Sequence, residues 1–351
     1  MDDLASYPLG ERVCTTARHA TFYHIAGPAD GPAIVFVHGW PEIGLAWAHQ
    51  MHALAALGYR VVAPDLRGSG RSAPYHVHDA YAQREIVADL IELIDSLGIS
   101  RALWVGHDWG AATVWNIARH HPERCVAVAA LCIPYATFDR GLETLCALVN
   151  RKQYPIETYP AGQFEYIAFY HEHFEIARAV FEADVTRSIK VLLRASDPSH
   201  AGNVFSTAFV RKKGGWFGGR AAPDVALDAT ILSENDLAAY VRAYERSGFF
   251  GACSLYMNDA DNVRYADEAV SQTIDLPVLF LSGLYDFVCD TERSSLMEPM
   301  KAACADVTIE TIASGHWMMH ERATETNDAL TRFANRVFRR DPGVSSVMSN
   351  G

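Results

Sequence analysis

The chain has 351 residues, which favours one large domain, or a core carrying a sizeable second part, over a multi-domain assembly. Half of the residues are apolar and 21% are charged, proportions that exclude disorder and collagen-like order. Asp plus Glu number 42 against 30 Lys plus Arg, so the formal charge of −12 is opposite in sign to the footprint of a nucleic-acid binder.

The chain starts Met1-Asp2-Asp3-Leu4, without the basic stretch and apolar run of a secretion signal. No segment approaches the roughly 18 apolar residues of a membrane span. The seven cysteines are scattered and never spaced C-x-x-C, so neither a disulfide framework nor a zinc site is indicated, and a cytoplasmic location is expected. Short apolar runs then follow in order. Ile34 to Val37 leads into His38-Gly39, Arg60 to Ala63 into Pro64-Asp65, Ala102 to Val105 into Gly106-His107-Asp108, and Val126 to Cys132 stops before Pro134. Unbroken runs of this length suit strands covered on both faces, and the helical patterns between them (84 to 97, 110 to 119) suit right-handed crossovers. This predicts an α/β fold with a mostly parallel sheet.

From about 134 to 272 aromatic-rich helical patterns replace the strands, broken by the glycine-rich loop Lys212 to Gly219. The strand pattern resumes at Val278 to Leu281 and again at Val307 to Ile312. The spacing predicts an N-terminal core part over 1–133, an inserted helical cap over 134–272, a C-terminal core part over 273–340 and a flexible tail over 341–351.

Gly106-His107-Asp108-Trp109-Gly110, between a strand and a helix, fits the G-x-nucleophile-x-G turn, with Asp108 at its centre. A carboxylate there selects the chemistry. Serine attacking a saturated carbon would leave an ether that an activated water cannot cleave, whereas a carboxylate leaves an ester that it can. The electrophile is therefore an sp³ carbon bearing a leaving group, an epoxide or a carbon–halogen bond. Asp286 follows the strand at 278 to 281 and His316 follows the last strand, so the order is nucleophile, acid, histidine. His316 is the expected general base and Asp286 its orienting partner. The backbone N–H groups of Trp40 and Trp109 are the expected oxyanion donors, and the Trp109 ring is expected to flank the substrate pocket. His38 and Pro41 are placed at the same pocket, His38 through packing and hydrogen bonds, with a cis bond before Pro41 not deducible. Tyr170-His171-Glu172-His173 suggests metal ligands only superficially, since the two histidines leave a helix on different sides and read as a solvated face. Arg211-Lys212-Lys213 reads as an exposed charge cluster.

The motifs His38-Gly39-Trp40-Pro41-Glu42, Asp65 to Ser72, Gly106 to Gly110 and Gly315-His316-Trp317 stand in an order that resembles the α/β-hydrolase superfamily, specifically soluble-type epoxide hydrolases. The resemblance covers about residues 20 to 338. It implies an α/β-hydrolase core with a cap, no cofactor and no metal. The partners it implies are a small uncharged epoxide and water; it is compatible with a homodimer. It also implies two cap tyrosines holding the epoxide oxygen. Phe164-Glu165-Tyr166 resembles the setting of the first, and Tyr256-Met257-Asn258 that of the second, although the family usually has Arg where Met257 stands. Tyr170 and Tyr240 are the substitutes to exclude. The alternative reading is a haloalkane or haloacid dehalogenase using the same aspartate.

Overall fold

A computed structural model describes residues 9–340; the tail expected at 341–351 lies outside the described residues. The eight strands are β1 (Gly10–Thr15), β2 (Ala20–Ala26), β3 (Ala33–Val37), β4 (Arg60–Pro64), β5 (Ala102–His107), β6 (Cys125–Leu131), β7 (Ile274–Gly283) and β8 (Cys304–Ile312). They form one sheet in the order β1-β2-β4-β3-β5-β6-β7-β8. The six strands from β3 onward are mutually parallel, and β1 and β2 add an antiparallel hairpin at one edge. That hairpin has no counterpart among the predicted strands. β1 is exposed or half-exposed along its whole length, so it lacks the continuous apolar run that betrays a doubly covered strand.

The central strands are apolar on both faces because successive side chains alternate between two layers. Ile34 and Phe36 of β3 join one core, with Trp47 and with Met51 and Leu54 of α1 (Ala48–Ala56). Val35 and Val37 join the other, with Val87 and Leu90 of α2 (Gln83–Ser96) and Trp115 of α3 (Trp109–His120). The residues of α3 from Trp109 to Arg119 are all buried, as the helix following the central strand must be when the sheet lies on one side and other helices on the rest. It sits close because Gly110 has no side chain: a Cβ there would stand 2.0 Å from the Val37 carbonyl oxygen.

Among the described residues no strand lies between Leu131 and Ile274. That stretch holds α4 (Gly141–Leu148), α5 (Glu165–Glu182), α6 (Val185–Leu192), α7 (Glu234–Ser247), α8 (Phe250–Ser254) and α9 (Asp259–Asp267). It returns to β7, and α10 (Glu298–Ala303), α11 (Met318–Glu321) and α12 (Ala323–Arg340) complete the core. The aromatic residues of this insertion share one apolar cluster with the sheet layer beneath them: Phe181 meets Trp40 edge-on at 5.5 Å. Helix α5 is interrupted at His173, where φ is −143° and ψ 46°. No helix among the described residues is long and apolar enough to cross a membrane.

Candidate active site

Asp108 stands between β5 and α3 at φ 50°, ψ −126°, a conformation that non-glycine residues adopt at local cost and that concentrates at functional sites. The chain can turn there because its neighbours are small. A Cβ on Gly39 would come within 2.5 Å of the Asp108 side chain, and one on Gly106 within 2.3 Å of the Gly110 carbonyl. The turn aims the carboxylate at a cavity of about 290 Å³ whose wall includes Trp40, Tyr166, Trp216, Tyr256 and His316. The two carboxylate oxygens differ. Oδ1 accepts the Trp40 backbone N–H at 2.7 Å, while Oδ2 lies 3.7 Å from His316 Nε2. The Trp109 amide opens α3, a position whose N–H has no partner inside the helix.

His316 follows β8 in the short turn Ser314-Gly315, and Asp286 follows β7. The two loops are stitched together by Leu284 N–H to the Ile312 carbonyl and Tyr285 N–H to the Ser314 carbonyl, each 2.9 Å. His316 Nδ1 lies 2.8 Å from Asp286 Oδ2, and Asp286 Oδ1 accepts the amides of Val288 and Cys289. Burial pushes the Asp286 carboxyl up, but the adjacent imidazole and its hydrogen bonds outweigh this and hold it below its ordinary value. For His316 burial pulls the imidazole down, and the carboxylates of Asp286 and Asp108 more than reverse that, holding it well above the ordinary histidine range.

Behind these residues a buried, hydrogen-bonded histidine–glutamate pair fixes the turn. His107 places Nε2 2.9 Å from the His316 carbonyl and Nδ1 2.8 Å from Glu42 Oε2, which also accepts the Gly39 amide at 2.9 Å. Burial would raise the Glu42 carboxyl, yet the His107 charge and these hydrogen bonds lower it to about 2. A carboxyl whose folded pKa is depressed stabilises the fold above its ordinary value of 4.5, and that contribution disappears as pH falls through about 2. Glu42→Gln removes the carboxylate that bonds both His107 and the Gly39 amide and is expected to cost roughly 1.5–3 kcal/mol of stability at pH 7. Thermal melts from pH 7 downward check this: the gap between wild type and variant should shrink below pH 4.5, and an equal Tm at pH 7 would refute it.

Tyr166, in the first turn of α5, and Tyr256, in the single 3-10 turn Leu255–Met257, both reach the cavity wall. Their rings meet edge-on at 5.6 Å. Burial, with lesser help from the Asp108 charge, raises both phenols well above 10, so both remain hydrogen-bond donors. Tyr170 lies flat against Tyr256 at 4.7 Å, and Tyr240 is fully buried in the core; neither lines the cavity.

Three expectations need correction. His38 has the packing and hydrogen-bonding role expected of it but does not reach the cavity: its Nε2 accepts the Leu66 amide and its Nδ1 faces the Gly39 carbonyl, each 2.9 Å, so both nitrogens serve to hold the loop. Pro41 follows a cis peptide bond and is also absent from the wall. The Trp109 ring was expected beside the substrate; it packs edge-on against Tyr256 at 5.3 Å and Phe138 at 5.5 Å, outside the cavity wall. The wall contains instead Trp216, from the glycine-rich loop Lys212 to Gly219. Its ring stacks on Trp40 at 5.6 Å and tilts against Tyr166 at 5.4 Å. The loop is tied to α5 by Arg211, which pairs with Glu172 and lies 3.7 Å from Glu165, so Arg211 is an anchor rather than a free surface charge. A Trp-Phe pair bracketed by glycines was the available signal.

Two overlapping groups, His107-Cys132-His316 and Asp286-Cys289-His316, hold their potential ligand atoms within 4.8 Å of one another. Asp286, His316 and His107 already use these groups in the hydrogen bonds above, an arrangement built for proton handling.

Comparison with known proteins places this geometry in a family. The alpha/beta hydrolase fold family matches residues 32–323. Epoxide hydrolase A of Mycobacterium tuberculosis is 33% identical over 312 residues, covering 88% of this chain and 92% of its own. Bifunctional epoxide hydrolase 2 of Sus scrofa is 30% identical over 326 residues, 93% of this chain but only 55% of that larger protein. The crystal structure of epoxide hydrolase A from Mycobacterium thermoresistibile superimposes with a TM-score of 0.76 at 30% identity, covering 93% of this chain and 98% of the other. A carboxylate in a strand-to-helix turn, under an insertion carrying a tyrosine pair, thus occurs in a chain that belongs to the α/β hydrolase fold family and, within it, to the epoxide hydrolases.

Proposed function

We propose that the chain hydrolyses small uncharged epoxides to vicinal diols through an ester on Asp108. The observation that carries the reading is the convergence of Asp108, His316 and two buried, protonated tyrosines on one cavity. Oδ2, which is free of the Trp40 amide, attacks a ring carbon; the carbon–oxygen bond breaks and the departing oxygen receives a proton from Tyr166 or Tyr256. An alkoxide is a poor leaving group, so this donation is what an epoxide needs and a halide does not. His316 then removes a proton from water, whose oxygen attacks the ester carbonyl carbon. The resulting negative charge develops on Oδ1, against the Trp40 amide at 2.7 Å and the first amide of α3. Asp286 holds the ring and balances its charge. Collapse breaks the ester carbon–oxygen bond; the departing diol oxygen takes the proton left on the regenerated Asp108 carboxyl, and the proton held by His316 returns to the phenolate, so that Asp108, His316 and the tyrosine are all restored.

No cofactor or metal enters these steps. The seven free cysteines support a reducing, cytoplasmic setting. A single turnover in ¹⁸O-water tests the route: the first diol should be unlabelled and the label should appear in Asp108. Label in the diol first would sink the covalent route, and halide release from haloalkanes with epoxides untouched would favour the dehalogenase reading.

A further inference from the structure

The two tyrosines belong to separate pieces of the insertion, yet both must meet one oxygen atom. Tyr166 is fixed by α5, whereas Tyr256 belongs to a single 3-10 turn whose own backbone bonds are too few to hold it. The terminal carbonyls of such a turn have no partner inside it. The Tyr256 carbonyl is met from α5: His171 Nε2 lies 2.7 Å from it. A carbonyl only accepts, so His171 donates. Asp259 Oδ2 lies 3.8 Å from the same nitrogen, and Asp259 is itself fixed by the Leu142 amide at 2.8 Å. The imidazole expected on a solvated face is indeed on the outer side, 31% exposed, but it is bonded to the backbone of the second tyrosine.

We propose that His171 is a positioning residue that sets the spacing of the tyrosine pair, by clamping the Tyr256 backbone to the helix that carries Tyr166. This rests on the epoxide reading above. The side chain touches no reacting atom, and its partial exposure means that its removal empties little of the core. Its action is confined to the first chemical step, in which the tyrosines donate. Water attack on the Asp108 ester, which needs His316, is outside its reach.

The test is a double-mutant cycle on single-turnover rates with an aryl epoxide such as styrene oxide. His171→Ala should slow ester formation about five- to tenfold and leave ester hydrolysis unchanged, because a small misplacement of a donor is costly only where it donates. In a Tyr256→Phe background the same substitution should slow nothing further, and His171→Gln, which keeps a donor, should restore most of the rate. Equal slowing in both backgrounds would show a general structural role and overturn the proposal, as would full-speed ester formation by a folded His171→Ala. If that variant does not fold, the His171→Leu and His171→Gln pair carries the same comparison. Wild type that makes no diol or ester from any epoxide would overturn the epoxide reading and the positioning role together; diol formation with His171→Ala unimpaired overturns the positioning role alone.

Discussion

His316→Gln is expected to accumulate an enzyme heavier by one epoxide molecule while losing steady-state turnover by about 10³-fold or more. Glutamine keeps a hydrogen-bonding side chain beside Asp286 but cannot take a proton from water, so the ester forms and persists. Intact mass after mixing with a panel of epoxides measures it, and peptide mapping should place the adduct on Asp108. Absence of an adduct with every epoxide, in a folded variant, would remove the support for ester chemistry. The electrostatics add a directional feature. In the resting site His316 lies 2.8 Å from Asp286 and 3.7 Å from Asp108, and the two charges hold it protonated well above its ordinary range. Ester formation neutralises Asp108, so one of the two charges vanishes and the imidazole pKa falls. The base thus appears in the intermediate that needs it. Asp286→Asn should weaken this arrangement by removing the larger of the two fields.

Loss of both phenol hydroxyls is expected to be comparably severe. Tyr166→Phe or Tyr256→Phe alone leaves one donor and should slow ester formation about 10- to 100-fold, whereas the double variant should lose about 10³- to 10⁴-fold. The rings remain in place, with their edge-on contact at 5.6 Å, so folding should be unaffected and circular dichroism can verify it. Rapid-quench measurement of ester formation separates this effect from hydrolysis. A double variant that opens epoxides near the wild-type rate would mean that some other donor meets the oxygen. The raised phenol pKa fits the role: both groups stay protonated across the working pH range, and the developing alkoxide is basic enough to take a proton from them.

The parts of this site that were readable in the sequence share a cause. Asp108, Asp286 and His316 each follow an apolar run closely, and a strand leaves its ending so little freedom that what comes next is at the sheet's edge. Residues whose placement depends on tertiary packing were not readable in the same way. Trp216 sits on a loop that could as well have pointed outward, and only its neighbours Trp40, Tyr166 and Phe181 explain why it folds inward. The motif around His38 directly follows a strand, yet adjacency in a motif does not tell which side chain faces the cavity and which holds the loop from beneath. Trp109 shows the same limit: its backbone position follows from the helix start, but its ring direction does not. The β1–β2 hairpin was missed because mixed exposure erases the continuous apolar signal that identified the inner strands.

The strand order has a consequence for the birth of the protein. The outer edge of β6 is covered by β7, which is made only after roughly 140 further residues have been translated, a delay of about 7 to 28 seconds at elongation rates of about 5–20 residues per second. Until then Cys125 to Leu131, apolar on both faces, is an unpaired edge in a half-made sheet. The insertion that covers the finished cavity is therefore also what keeps that edge waiting while β7 and β8 are still being synthesised.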